Sequence, residues 1–169
     1  KVQINPYGKA KYMVEQVLED YAAAYDFRSI RFRYFNAAGY DPDGEVGEAH
    51  VPESHLIPLI LDAALGKRDS IKVYGTDYDT PDGTCIRDYV HVMDLVEAHV
   101  LGLNWLRGGK GSRVFNLGTG EEIRIGDLAE KIIAMVGREV KIETEQQRLR
   151  PEKSEVMRLI SDNSRAREV

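Results

Sequence analysis

Apolar residues near the start of the chain recur at intervals of three and four, which predicts an amphipathic helix. Asn5 suits the N-cap and Pro6 suits the first helical position, so we expect the helix to begin there. One face of this helix is expected to be buried. The apolar residues of that face are Val14, Val17, Leu18, Tyr21 and Tyr25.

Apolar and polar residues alternate over 30–35 and again over 86–92, which predicts two strands. The first strand runs into the small residues Asn36-Ala37-Ala38-Gly39, for which we expect a loop. Residues 40–54 are rich in Gly, Pro and acids and are expected to form a long surface loop. The other predicted elements are helices over 56–65, 94–106 and 125–136 and strands over 71–74, 113–117 and 140–142. Helices that alternate with strands indicate an α/β fold.

Composition and charge narrow the class of protein. The chain has 169 residues, of which 43% are hydrophobic, and a formal net charge of −5. These values argue against disorder and against nucleic acid as a partner. No apolar run reaches membrane-spanning length, so we expect no membrane partner. Cys85 is the only cysteine, which rules out an intrachain disulfide and favours a reducing, cytoplasmic location.

The two ends of the sequence look incomplete. Lys1 is not an initiator methionine, and the last nine residues resemble a helix that stops after barely two turns. We interpret the chain as one structural unit cut from a larger protein.

Tyr7 and Lys11 are four residues apart, so a helix would place the phenol and the ammonium on one face. A neighbouring cation stabilises a phenolate, which allows a tyrosine to act as a general base. The chain contains nine tyrosines, however, and the probability that at least one has a lysine four residues later by chance is about one half. The spacing alone therefore does not decide between chemistry and coincidence.

The surrounding motifs carry a resemblance to a known family. The Tyr-Lys helix is followed, in order, by "RFRYFNAAG", "HLIPLI", "VYGTDYDTPDGTCIRDYVHVMDL" and "FNLGTG". This arrangement resembles the extended short-chain dehydrogenase/reductase family, and within it the UDP-glucose 4-epimerases, over about residues 5–120. Beyond 120 the sequence looks more similar to related NAD-dependent epimerases and dehydratases.

The resemblance implies a fold and a domain division. The chain would be the C-terminal part of an extended short-chain dehydrogenase/reductase. Residues 1–39 would be the last helix-strand unit of the Rossmann domain, and 40–169 a nucleotide-sugar-binding domain truncated at its C-terminus. In the family the Gly-rich NAD loop lies upstream. Because the first helix and strand would then expose apolar edges, we expect a homodimer or association with a missing N-terminal segment.

The resemblance also implies an activity, the interconversion of UDP-glucose and UDP-galactose by oxidation and re-reduction at sugar C4 with NAD as cofactor. Tyr7 would take the proton from the 4-hydroxyl, Lys11 would hold the nicotinamide ribose, and Phe35 would line the nicotinamide. We expect the isolated chain to be inactive, because the NAD loop is upstream in the family.

Eight further residues would bind the UDP-sugar substrate by the same resemblance. Asn36 would lie near the phosphates, His55 and Leu56 along the diphosphate and ribose, Lys72 and Tyr74 around the uracil, Arg87 and Arg150 on the diphosphate, and Glu155 near the ribose. A planar guanidinium suits a diphosphate. Read from the sequence alone, Arg87 would instead form a surface salt bridge with Asp88 or Asp94.

The remaining candidate motifs give weaker evidence of function. Gly118-Thr119-Gly120 follows a predicted strand and precedes a helix, as a dinucleotide-binding loop would, but Ile123 occupies the place of the third glycine, so we interpret it as a turn. The histidines show no metal-ligand spacing, and we expect no metal site. His50, His91 and His99 are assigned structural roles, and Cys85 is expected to be a small buried side chain.

Two other functions stay open. One is a nucleotide-sugar 4,6-dehydratase, which shares the oxidation step but needs an acidic pair beside an upstream Ser or Thr. The other is a non-catalytic module that binds a nucleotide sugar.

Overall fold

The structure is a computed structural model that describes residues 5–73, 75–144 and 156–169. Within these ranges no helix is both long and apolar enough to cross a bilayer. The described helices are α1 (Pro6–Tyr25), α2 (Leu56–Ala64), α3 (Val92–Arg107), α4 (Ile125–Val136) and α5 (Ser164–Arg167).

Short strands alternate with these helices, which confirms the predicted α/β class. The described strands are β1 (Ile30–Tyr34), β2 (Asn36–Ala38), β3 (Ile71–Val73), β4 (Ile86–Arg87), β5 (Tyr89–His91), β6 (Arg113–Leu117), β7 (Ile123–Arg124), β8 (Ile142–Thr144) and β9 (Arg158–Leu159).

Most of the strand pairs are parallel. β1 pairs with β6, β2 with β5 and β3 with β8, while β4 lies between antiparallel β7 and parallel β9. Parallel neighbours need long crossovers, which here run through the helices. The register of the first pair places Ile30 opposite Arg113. Strands from both sides of residue 39 therefore share one sheet, and the division into domains at that residue stays a prediction.

Two small apolar clusters form the core. The first contains Val90, Leu95, Phe115 and Leu117 and lies between α3 and the β1–β6 pair. Gly102 of α3 packs closely against Phe32 and Ile30 of β1.

The second cluster joins α2, β3 and α4 through Ile60, Ile71 and Ala129, whose side chains are almost fully buried. Full burial of an isoleucine contributes about 1.5–3 kcal/mol. This cluster anchors α2, whose N-cap residue His55 and first residue Leu56 are two of the predicted substrate residues.

The predicted burial of the apolar face of α1 is wrong. No residue of the helix is buried, and Val14, Val17 and Tyr21 are 57%, 51% and 52% exposed. The reason is the polar surface that β1 offers to the helix. Arg33 forms an ion pair with Glu15 of α1, so this contact is made by charges. Of the apolar stripe only Leu18 is half-buried, and the other four residues are exposed.

Two further predictions need correction. Asn36–Ala38 is a strand, β2, because its backbone pairs with β5. The strand predicted over 86–92 is divided at Asp88 into β4 and β5, and α3 begins at Val92, capped by the Nδ1 atom of His91, which accepts the Met93 N–H at 3.2 Å.

Candidate active site

Tyr7 and Lys11 share one face of α1, as their spacing predicts. Asn5 caps the helix by accepting the Gly8 N–H on its side-chain oxygen at 2.8 Å, and Pro6 occupies the first turn. The Nζ atom of Lys11 lies 5.4 Å from the centroid of the Tyr7 ring. Tyr7 is 73% exposed, so its hydroxyl is open to a ligand. The helix start therefore fixes a phenol and an ammonium together at the surface.

A cleft of about 1350 Å³ opens beside this pair. It runs between α1 and the ends of strands β1 and β2, and the loop that precedes α2 closes one side. Five of the predicted site residues line it together: Tyr7, Lys11, Phe35, Asn36 and His55.

Apolar side chains form much of the remaining wall. Val92, Met93 and Val96 from the start of α3 line the cleft, and Phe35 joins them from the end of β1. Phe35 is held in place because its N–H donates to the Leu117 carbonyl at 3.2 Å. A cleft with an apolar wall and a few convergent polar groups is the usual form of a small-molecule site.

Asn36 is fixed by Asp88, which lies between β4 and β5. The main-chain carbonyl of Asp88 accepts the Asn36 N–H at 3.0 Å and the Asn36 Nδ2 at 2.8 Å. A carbonyl can only accept, so the NH₂ end of the Asn36 amide must face it. The amide oxygen and the second N–H are thereby left for the cleft.

The Asp88 carboxylate is fully buried and is a residue that the sequence interpretation missed. It accepts hydrogen bonds from the Thr119 N–H at 2.8 Å, the Thr119 hydroxyl at 2.9 Å, the Gly120 N–H at 2.9 Å and the Ser161 N–H at 3.0 Å. The sequence does carry a sign of this burial, because Asp88 alternates with the apolar residues Ile86 and Val90 and alternate residues of an extended chain face the same side. In the structure all three are buried. The turn Gly118-Thr119-Gly120 thus binds a carboxylate of its own chain.

Arg87 lies outside the cleft-lining set, on β4. Its Nη1 donates to the carbonyls of Val156 at 2.7 Å, Met157 at 3.3 Å and Ile86 at 3.0 Å. Burial raises the pKa of the neighbouring Tyr89 hydroxyl, while the Arg87 guanidinium opposes that shift. The guanidinium is held against the backbone of residues 156 and 157.

His55 precedes α2 as its N-cap residue, and it is exposed. The backbone N–H groups of His55 and Ser54 donate to the Glu53 carboxylate at 2.7 and 2.6 Å. The hydrogen bond from the His55 N–H, together with that from Ser54 and the His55 ring, lowers the pKa of Glu53. Leu56 opens the helix and packs against the second core cluster.

Lys72 is exposed on β3, in register with Glu143 of β8, and it does not line the cleft. The three other predicted substrate residues, Tyr74, Arg150 and Glu155, lie outside the described residues. The site as described therefore consists of the cleft with its Tyr-Lys pair and a separate guanidinium on β4.

The family profile and the curated relatives that match this chain indicate the same family. Residues 2–118 match the profile of the "NAD dependent epimerase/dehydratase family". A UDP-glucose 4-epimerase of Rhizobium meliloti (strain 1021) is 46% identical over 166 residues, which are 98% of this chain and 49% of that protein. The similarity thus continues beyond residue 120.

Solved structures agree. A UDP-glucose 4-epimerase from Brucella ovis in complex with NAD superimposes with a TM-score of 0.88 at 46% identity, over 97% of this chain and 49% of that chain. One from Bifidobacterium longum in complex with NAD+ and UDP gives a TM-score of 0.85 at 33% identity, over 97% of this chain and 48% of that chain. The chain spans about half the length of the relatives it matches, and it belongs to the NAD-dependent epimerase/dehydratase family.

Proposed function

We propose that this chain is part of a UDP-glucose 4-epimerase and supplies the Tyr-Lys pair and the nucleotide-sugar site. One observation carries the proposal: Tyr7 and Lys11 share a helix face at the mouth of a cleft that Phe35 and Asn36 also line. The relatives at 43–49% identity that bear this name support the choice of reaction.

The residues around Tyr7 fit NAD as cofactor. The cleft offers an ammonium at Lys11 for ribose hydroxyls and an aromatic wall at Phe35 for a flat ring. Tyr7, Lys11 and Phe35 would hold the nicotinamide end. The chemistry that NAD supplies when bound is acceptance of a hydride from the sugar and its return.

The chain's own part in the reaction is proton transfer and binding. Tyr7 takes the proton of the sugar 4-hydroxyl as that carbon is oxidised, and returns it once the 4-keto sugar has turned over. Lys11 stabilises the phenolate that is present before the proton is taken and again after it is returned, because an ammonium one helical turn away favours the charged form. The exposed phenol can reach a ligand without rearrangement of the helix.

The nucleotide sugar would be held by residues that line the cleft and by others that lie outside its described lining. Asn36 presents a fixed amide to the phosphates, His55 and Leu56 lie at the start of α2 on the diphosphate and ribose side, and Arg87 contributes a guanidinium to the diphosphate. Lys72 with Tyr74 would frame the uracil, and Arg150 with Glu155 would complete the grip. A UDP sugar is therefore the proposed substrate.

The test is a chimera in which residues 1–169 replace the matching half of the Rhizobium meliloti relative. Purified chimera with NAD is expected to isomerise UDP-galactose, and Tyr7→Phe in the chimera is expected to lower kcat by about 10²–10⁴-fold. Tyr25→Phe is the matched control, since Tyr25 is also an exposed phenol on α1 but does not line the cleft, and it should leave kcat unchanged.

Two results would overturn the proposal. One is a folded chimera that binds NAD and does not isomerise the sugar. The other is a Tyr7→Phe chimera as active as its parent. A chimera that eliminates water and accumulates a 4-keto-6-deoxy sugar would instead identify the 4,6-dehydratase, and binding of UDP without turnover would identify the non-catalytic module.

Further proposals concern organisation. We propose that residues 1–39 and 40–169 belong to a Rossmann domain and a substrate domain, that the chain acts in the cytoplasm, and that a second copy or another segment covers α1. The 57% exposed Val14 and 52% exposed Tyr21 support the last point. Light scattering of the purified chain tests it, since a stable monodisperse monomer would contradict a homodimer.

A further inference from the structure

The loop before α2 brings together four potential metal ligands that the sequence spacing did not reveal. His50, Glu53 and His55 each offer one ligand atom, and these atoms all lie within 4.8 Å of one another. Glu48 also contacts His55, through a carboxylate oxygen near the Nδ1 atom of its ring. We call these four residues the His-Glu cluster.

Three separations in the cluster lie near those of a tetrahedral zinc site. The His55 Nδ1 is 2.9 Å from an oxygen of Glu53 and 2.9 Å from an oxygen of Glu48, and the His50 Nδ1 is 3.7 Å from the same Glu53 oxygen. Zinc bonds to nitrogen and oxygen are about 2.0–2.2 Å, which places tetrahedral ligands roughly 3.3–3.5 Å apart. Each of these three separations differs from that range by a few tenths of an ångström.

The Nδ1 atom of His55 has more hydrogen-bond acceptors beside it than it has hydrogens to donate. Two carboxylate oxygens, from Glu48 and Glu53, approach the same ring nitrogen at 2.9 Å. That nitrogen carries at most one hydrogen, so only one of the two oxygens can receive it. A cation bound to the nitrogen would attract both carboxylates at once.

The backbone already holds one ligand in place. The Glu53 side chain is only 14% exposed, and its Oε1 atom accepts the N–H groups of Ser54 and His55. A metal-ligating carboxylate is commonly fixed by hydrogen bonds of this kind. Two carboxylates and two neutral imidazoles would balance the charge of a divalent ion.

We propose that the His-Glu cluster binds a divalent transition-metal ion of the zinc class. Imidazole nitrogens with carboxylate oxygens suit zinc, cobalt and nickel better than magnesium or calcium, which prefer oxygen alone. Glu48 and His55 also line the cleft, so the ion lies at its edge.

The test is a zinc titration of the purified 169-residue chain in competition with a chromophoric chelator. His50→Asn and Glu48→Gln each remove one ligand and are expected to raise the Kd by more than about tenfold, since even outer partners cost 10–100-fold. With Co²⁺ as probe, visible absorption of a tetrahedral site is expected in the unaltered chain and lost in His50→Asn.

His91→Asn is the matched control. It removes an imidazole outside the cluster, and Asn can still cap α3 because it is among the preferred N-cap residues. Its zinc Kd is expected to equal that of the unaltered chain. Far-UV circular dichroism without metal checks that each variant is folded. If His50→Asn does not fold, Glu48→Gln is the variant that tests the proposal.

The proposal is overturned if His50→Asn or Glu48→Gln, once folded, binds zinc as tightly as the unaltered chain, or if His91→Asn loses as much affinity as they do. These titrations contain neither NAD nor a sugar nucleotide. The result is therefore independent of the proposed epimerase activity, and either proposal can fail without the other.

Discussion

The main-chain carbonyl of Asp88 accepts two hydrogen bonds from Asn36, one from its N–H at 3.0 Å and one from its side-chain Nδ2 at 2.8 Å. The first belongs to the pairing of β2 with β5, and the second orients the side chain. The amide of Asn36 therefore cannot be flipped, because two acceptors would then face each other.

Asp88 connects this amide to the rest of the chain. Its carboxylate gathers the backbone N–H groups of Thr119, Gly120 and Ser161, which are 31, 32 and 73 residues away in sequence. Asn36 at the cleft is thus positioned by a buried residue whose other hydrogen-bond partners are distant in sequence.

Asp88→Asn is expected to lower the free energy of unfolding by about 3 kcal/mol. In one orientation of the new amide its NH₂ group would face the N–H groups of Gly120 and Ser161, and in the other the N–H of Thr119. The buried N–H groups that face it would lose their acceptor. Urea unfolding followed by circular dichroism measures the loss.

The control for this change is Asp94→Asn in the first turn of α3. Asp94 is exposed, and a carboxylate at a helix start contributes about 0.3–1 kcal/mol. Equal losses in the two variants would show that the buried network around Asp88 is not the source of the stability.

Local chemistry made several elements predictable from the sequence. Asn5 and Pro6 fixed the start of α1, since capping depends on neighbouring residues only. The strand over 113–117 and the helix over 125–136 also matched. Burial of the α1 stripe was not predictable, because it depends on the arginine side chains that β1 turns toward the helix.

The site was predictable only in part. Tyr7 and Lys11 meet through helical periodicity, which sequence spacing states directly. The contacts of Asp88 depend on segments far along the chain, and the His-Glu cluster depends on the path of an irregular loop. Neither kind of proximity has a period that could be read from the sequence.

Gly118→Ala is expected to destabilise the fold by about 1–3 kcal/mol through overpacking. A Cβ atom there would lie 2.5 Å from the Asp88 Oδ2 and 2.7 Å from the Ser161 Cβ. Gly111→Ala is the matched control, because nothing lies within 4 Å of its added Cβ. Thermal unfolding of both variants would contradict the steric explanation if Gly118→Ala were as stable as Gly111→Ala.

Arg87→Lys is expected to weaken UDP binding about tenfold, because an ammonium cannot reproduce the planar fork of a guanidinium on a diphosphate. Calorimetric titration measures the Kd. Uridine, which lacks phosphates, should bind the variant and the unaltered chain equally.

Arg28→Lys serves as the control for charge and side-chain type, since Arg28 is exposed and donates to the Leu106 carbonyl at 3.3 Å. Its UDP affinity should be unchanged. If Arg87→Lys bound UDP like the unaltered chain while remaining folded, the assignment of Arg87 to the diphosphate would be wrong.

Tyr89 is expected to make stability fall in alkaline solution. Burial raises the pKa of its hydroxyl above the ordinary value of 10.0, although Arg87 opposes the shift. Between the ordinary and the raised pKa the unfolded chain has lost a proton that the folded chain still holds, so stability decreases as the pH rises through that window. Below pH 10 this contribution is fully present.

Thermal midpoints measured from pH 9 to 11 should therefore fall more steeply for the unaltered chain than for Tyr89→Phe. Tyr25→Phe, at a 74% exposed position, should follow the unaltered chain. Parallel curves for all three proteins would show that the Tyr89 hydroxyl is no harder to ionise in the folded chain than in the unfolded one.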